Sequence, residues 1–122
     1  MSNINKVKEL IINLEKYSFP ESDFNDSGWS IDYQINLDNR LNEELLRLYN
    51  DLNLLSDSLK NNDLITAKCA LIYARMKALD LSNFFLNIYE DIEKAGWGEG
   101  NKLPDVPEGY KIPDCYQYPS DK

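Results

Sequence analysis

Residues 41–59 read LNEELLRLYNDLNLLSDSL, and the placing of their leucines decides the fold. Leu41, Leu45, Leu48, Leu52, Leu55 and Leu59 follow at steps of four, three, four, three and four. That is the seam of an amphipathic helix, not the two-residue alternation of a strand. Leu46 and Leu54 widen the seam toward the broader apolar face of a helix bundle. Asp38 is suited to cap the start of this helix, and Asn61, Asn62 and Asp63 break it and cap the next. Two helices joined by so short a turn pack antiparallel.

Upstream, Ile4, Val7, Leu10, Ile11, Leu14 and Tyr17 recur at three- and four-residue steps and predict a first helix over residues 4–14. Ser2 or Asn3 can cap it, and Pro20 prevents its continuation. Downstream, residues 63–94 predict further helix, ending at Gly96. Ala67, Ala70, Ala74 and Ala78 form a small-residue stripe along it that admits a close neighbour. A straight helix of that span is about 48 Å long, whereas a compact domain of this size has a radius of gyration near ~14 Å. A break at residues 80–83 is therefore expected, with Asp80 or Ser82 capping a fourth helix that buries Phe84, Phe85, Ile88, Tyr89 and Ile92. From Trp97 onward, Pro104, Pro107, Pro113 and Pro119, with Gly98, Gly100 and Gly109, exclude regular structure. Trp97, Leu103, Val106, Tyr110, Ile112, Tyr116 and Tyr118 make this tail too apolar for a linker, so it is expected to lie extended across the bundle. The fold class is mainly α: a compact bundle of three to four helices in residues 1–96. An acidic irregular segment follows the first helix, and residues 97–122 form an extended Pro-rich tail on the same domain.

The 122 residues fit one domain, and an apolar fraction of 43% is enough for a core. The formal charge is −8, from 21 acids and 13 bases, which disfavours nucleic acid and favours a basic protein surface. There is no signal-like leader and no stretch of about 18 apolar residues, so neither export nor a membrane span is expected. A cytoplasmic setting follows, in which Cys69 and Cys115 stay reduced, Cys69 as a small buried hydrophobe.

Histidine is absent, which removes the commonest general base and metal ligand. Serine and cysteine nucleophiles are left without their usual activator, and no enzyme activity or cofactor is expected. The run from Asp23 to Gly28 has oxygen donors at alternate positions, as in a calcium loop. Its twelfth position is Gln34, which cannot supply the bidentate carboxylate, so no metal site is assigned. Lys68, Arg75 and Lys77 read as a solvated face or as partners in intramolecular pairs.

The charge is unevenly spread. Residues 17–39 hold Glu21, Asp23, Asp26, Asp32 and Asp38 and no Lys or Arg. Phe19, Phe24, Trp29 and Tyr33 are interleaved with them. Aromatic anchors ringed by charge suit a partner-binding surface, and Glu21, Asp23, Phe24, Asp26, Trp29, Asp32 and Tyr33 are its candidate residues. The alternative is that the aromatics fold back on the bundle while the acids face water.

In size, negative charge, missing catalytic residues and this acidic-aromatic segment, the chain resembles the small acidic immunity proteins of bacteria. Those proteins neutralise secreted nuclease toxins of the colicin and contact-dependent growth inhibition systems. The resemblance covers the chain in style and rests on no sequence motif; phage antagonists of bacterial defence nucleases and acidic secretion chaperones look similar. It implies steric and electrostatic block of a basic nuclease toxin by a monomer or weak dimer, with Asp23, Asp26 and Asp32 steering and Trp29 and Tyr33 anchoring. The rival reading is a helical adaptor or structural protein that self-associates through the leucine seam.

Overall fold

The turn at Asn61, Asn62 and Asp63 organises the molecule. In the computed structural model, which describes residues 3–119, helix α2 (Leu37–Lys60) enters this turn and α3 (Leu64–Trp97) leaves it. Asn62 takes up a left-handed φ of 54°, and Asp63 caps α3 by accepting from the Thr66 amide at 3.1 Å and the Thr66 hydroxyl at 2.6 Å. These bonds hold the Asp63 carboxyl below its ordinary pKa. The two helices pack together as a long hairpin. Helix α1 (Lys6–Ser18) contacts α3, and a single 3-10 turn lies at Asp114–Tyr116. There is no strand among the described residues.

Helix α3 is one uninterrupted element of 34 residues, about 51 Å long. This corrects the expected break at residues 80–83, and with it the fourth helix. Asp80 and Ser82 are good caps, yet no Pro or Gly stands beside them to end the preceding turn, so both are carried inside the helix. The helix also runs past Gly96. Its C-cap is Gly98, whose amide donates to the Lys94 carbonyl at 2.8 Å.

The seam of the hairpin differs by one position from the leucine pattern on α2. The residues turned inward are Leu37, Leu41, Glu44, Leu48, Asp51, Leu55 and Ser58 on α2. On α3 they are Ala67, Ala70, Ala74, Lys77, Leu81, Phe84, Ile88, Asp91 and Ala95. Both sets keep the alternating three- and four-residue steps of an antiparallel coil. Leu41, Leu48 and Leu55 thus face α3, while Leu45, Leu52 and Leu59 remain 47%, 46% and 53% exposed. Cys69 is exposed, not buried, because it precedes the seam residue Ala70 on the outer side of the helix.

Helix α1 closes one end of the hairpin through a reciprocal exchange of caps. The Asp38 carboxylate accepts from the backbone amides of Ile4 and Asn5, at 2.8 and 3.3 Å, and the Asn5 side chain accepts from the Leu37 amide at 2.9 Å. Asp38 therefore serves α1; the N-cap of α2 is Asn36, which accepts from the Asn39 amide at 3.0 Å. Each helix start satisfies amides that the other leaves open. The core forms here, from Ile11, Ile31, Leu37, Ile88 and Ala95, with Val7, Leu14, Phe24 and Phe84 packed around it.

The tail is held where it begins. The Ser18 hydroxyl, 2% exposed, accepts from the Lys102 amide at 3.1 Å, and the Phe19 ring lies against Gly100. Leu103 sits beside Leu10, Leu14 and Tyr17 of α1. From Lys102 to Pro119 every residue is exposed, including Val106, Tyr110, Ile112, Tyr116 and Tyr118. The apolar side chains expected to anchor the tail across the bundle therefore stay open to solvent.

Ala70 is 0% exposed at a close approach of α2 and α3, so Ala70→Leu should overpack the seam. A loss of about 2 kcal/mol, read from the urea unfolding midpoint, is the expected outcome.

Candidate functional site

The acidic-aromatic segment is irregular in backbone yet tied to α3 at several points. Asp91 carries the tie. Its carboxylate is 1% exposed; one oxygen accepts from the Ser30 amide at 2.7 Å, the other from the Ile31 amide at 2.8 Å and the Tyr33 hydroxyl at 3.0 Å. One residue earlier, Glu90 accepts from the Ser30 hydroxyl at 2.9 Å. One turn later, the Lys94 ammonium donates to the Gly28 carbonyl at 3.0 Å and lies 4.2 Å from the centre of the Trp29 ring. Gly28 has φ +87°, a left-handed conformation that costs glycine little. About one turn of α3 thus positions residues 28–33.

The aromatics are engaged within the fold. Phe24 lies 5.6 Å from Trp29 and 5.1 Å from Tyr33, centre to centre, and all three are half-buried against the core. Burial, then the hydrogen bond to Asp91 and the charges of Asp91, Asp26 and Glu15, raise the pKa of Tyr33 well above its ordinary value. The acids point the other way. Glu21, Asp23, Asp26 and Asp32 are exposed. Among the described residues the ion pairs are Arg40–Glu43, Arg47–Glu44 and Lys77–Asp51, none of which reaches these four. Local bonds shape the segment: Asn25 accepts from the Ser27 amide, Asp32 from the Gln34 amide and Asp26 from the Gln34 side chain. The structure therefore brings Phe24, Trp29 and Tyr33 together as a support and leaves Glu21, Asp23, Asp26 and Asp32 on its outer edge.

Asp91, Glu90 and Lys94 were not singled out from sequence. Their signal lies in the seam itself. Phe84, Ile88, Asp91 and Ala95 follow at steps of four, three and four, so the helical pattern places one charge in an apolar row. A charge in such a row requires hydrogen-bond donors from outside the helix.

Among the described residues no group of three or more His, Cys, Asp or Glu side chains could hold a metal ion. No helix among them is long and apolar enough to cross a membrane. Among known proteins, no family model, curated sequence or solved structure matches this chain.

Two outcomes test the tie. Asp91→Asn places an amide NH2 against at least one of the Ser30, Ile31 and Tyr33 donors. Loss of about 3 kcal/mol is expected, the cost of buried donors left without an acceptor, with the urea midpoint as readout. For Tyr33, the raised pKa gives a contribution fully present below ~10, where the unfolded phenol stays protonated. It is lost as pH rises toward the folded value, because the unfolded chain releases a proton that the folded chain retains. Tyr33→Phe should reduce the fall in stability between pH about 9 and 11.

Proposed function

We propose that this chain is a non-catalytic binding protein that captures a basic protein partner on the acidic edge of residues 17–39. A nuclease toxin is the partner class, neutralised in the cytoplasm as immunity proteins neutralise theirs. The observation that carries this reading is the presentation of Glu21, Asp23, Asp26 and Asp32: four exposed carboxylates on a segment hydrogen-bonded to α3. Charges fixed on a tied segment steer a basic partner without the entropy loss of ordering a loop on contact. With no histidine in the chain, no activated nucleophile or imidazole base is at hand.

On this reading the acids dock over the substrate groove of the partner and exclude its nucleic acid. Phe24, Trp29 and Tyr33 contribute as the support that holds the edge in shape, with the outer parts of Trp29 and Tyr33 still free to make contact. The test is rescue of a host that expresses the reading frame adjacent to this chain's own. Growth should return when the chain is co-expressed. The D23N/D26N/D32N variant should bind the purified toxin with an association rate about tenfold lower at low salt and a flatter salt dependence. A harmless neighbouring product, or equal association rates for both forms, contradicts the proposal.

A further inference from the structure

The hairpin carries its most apolar face outside its own seam. In the half nearest the turn, the seam holds Glu44, Asp51, Ser58 and Lys77 among Leu48, Leu55, Leu81 and three alanines. Asp51 and Lys77 pair at 3.2 Å, Glu44 pairs with Arg47 through one carboxylate oxygen, and the other oxygen is buried without a partner. One position after the seam on each helix, a second row repeats every seven residues. On α2 it is Leu45, Leu52 and Leu59; on α3 it is Leu64, Leu71, Ala78 and Phe85. In an antiparallel pair, positions that follow the seam in this way fall on the same side, so the two rows make one face. The opposite side is partly roofed: Arg40, Asp80 and Asn87 share a cleft with Ser30, Asp32 and Ile35 of the acidic segment.

A helix that packs against a single neighbour needs only the narrow seam. One that packs in a four-helix bundle adds a third apolar position in each heptad. Helices α2 and α3 have that third position, yet their only third-helix neighbour among the described residues, α1, packs at the far end from the turn. The missing element must supply two helices' worth of matching surface. We infer that a second copy of this chain covers this face, its hairpin completing a four-helix bundle with the first.

The exposed area is of the right size. Leu45, Leu52, Leu59, Leu64, Leu71 and Phe85 are 46–63% exposed, and Tyr49 and Ile72 flank them at 60% and 41%. At about half of ~200 Å² for each large side chain, these eight residues expose roughly 800 Å², the share of each partner in a standard stable interface. The row holds no charged residue, and Lys68 and Arg75 lie outside it on α3. A two-fold pairing that sets the row of one copy over the row of the other buries this uncharged centre. This surface is separate from the acidic edge, and a dimer carries two such edges.

Sedimentation equilibrium of the full chain at micromolar concentration tests the inference, with circular dichroism to verify the helices. The wild type should sediment at twice its 14.2 kDa mass. Leu52→Glu with Leu71→Glu should keep its helicity and raise the dimer dissociation constant by roughly a hundredfold or more, while Val106→Glu in the exposed tail should leave it unchanged. If the double variant loses helix, Leu52→Glu alone carries the comparison. A monomeric wild type overturns the inference, including one whose face is covered only when a different protein is added. A dimer indifferent to both leucine substitutions overturns it as well.

Discussion

A carboxylate sealed from water inside a helical protein is costly unless donors surround it. Asp91 meets that condition through two consecutive backbone amides and a phenol, all from one loop. The ionised group accepts from both oxygens at once, which neither an amide nor a hydroxyl reproduces. The dependence is mutual, because the loop amides have no strand or helix to satisfy them and Asp91 is in none of the ion pairs among the described residues. With Ser30 and Ile31 fixed, Ile31 enters the core, Tyr33 and Phe24 pack behind it, and the chain arrives at Asn36 in position to start α2. The acidic edge keeps its shape because this exchange holds.

The same helix that supplies Asp91 also forms half of the open apolar face, centred about four to five turns closer to the hairpin turn. Its two ends are built for different tasks. Near Asp91, α3 packs against α1 and the loop through Ile88 and Ala95. Toward the turn it offers small seam residues, Ala67, Ala70 and Ala74, with its larger apolar side chains outside. An unbroken α3 therefore couples a loaded end to an unloaded one, and a kink at residues 80–83 would have separated them.

Much of the helical content was legible from sequence, since the periodicity around α1, α2 and α3 and the Asp63 cap are local features. The phase of the α2 seam was not. Leu41, Leu48 and Leu55 belong to both possible seams. Leucines 45, 52 and 59 look more core-like than Glu44, Asp51 and Ser58, so hydrophobicity alone selects the outer row. Which row faces α3 is decided by the partner's row and its charges, as in the contact of Asp51 with Lys77. The break expected in α3 came from assuming a compact chain, not from any helix-breaking residue. In the candidate site, the exposed acids were legible as a run without counter-charge. The inward role of Phe24, Trp29 and Tyr33 depends on Asp91 and Lys94, some 60 residues away in sequence, and no local pattern reveals it.

Amide hydrogen exchange at Ser30 and Ile31 addresses the tie between loop and helix most directly. Ser30 is an exposed residue in an irregular loop, where an unbonded amide exchanges freely. If Asp91 holds the segment, both amides should exchange as slowly as those in the middle of α3, and both should lose that protection in Asp91→Asn. Exchange of either amide at the rate of a free peptide in the wild-type chain would contradict it.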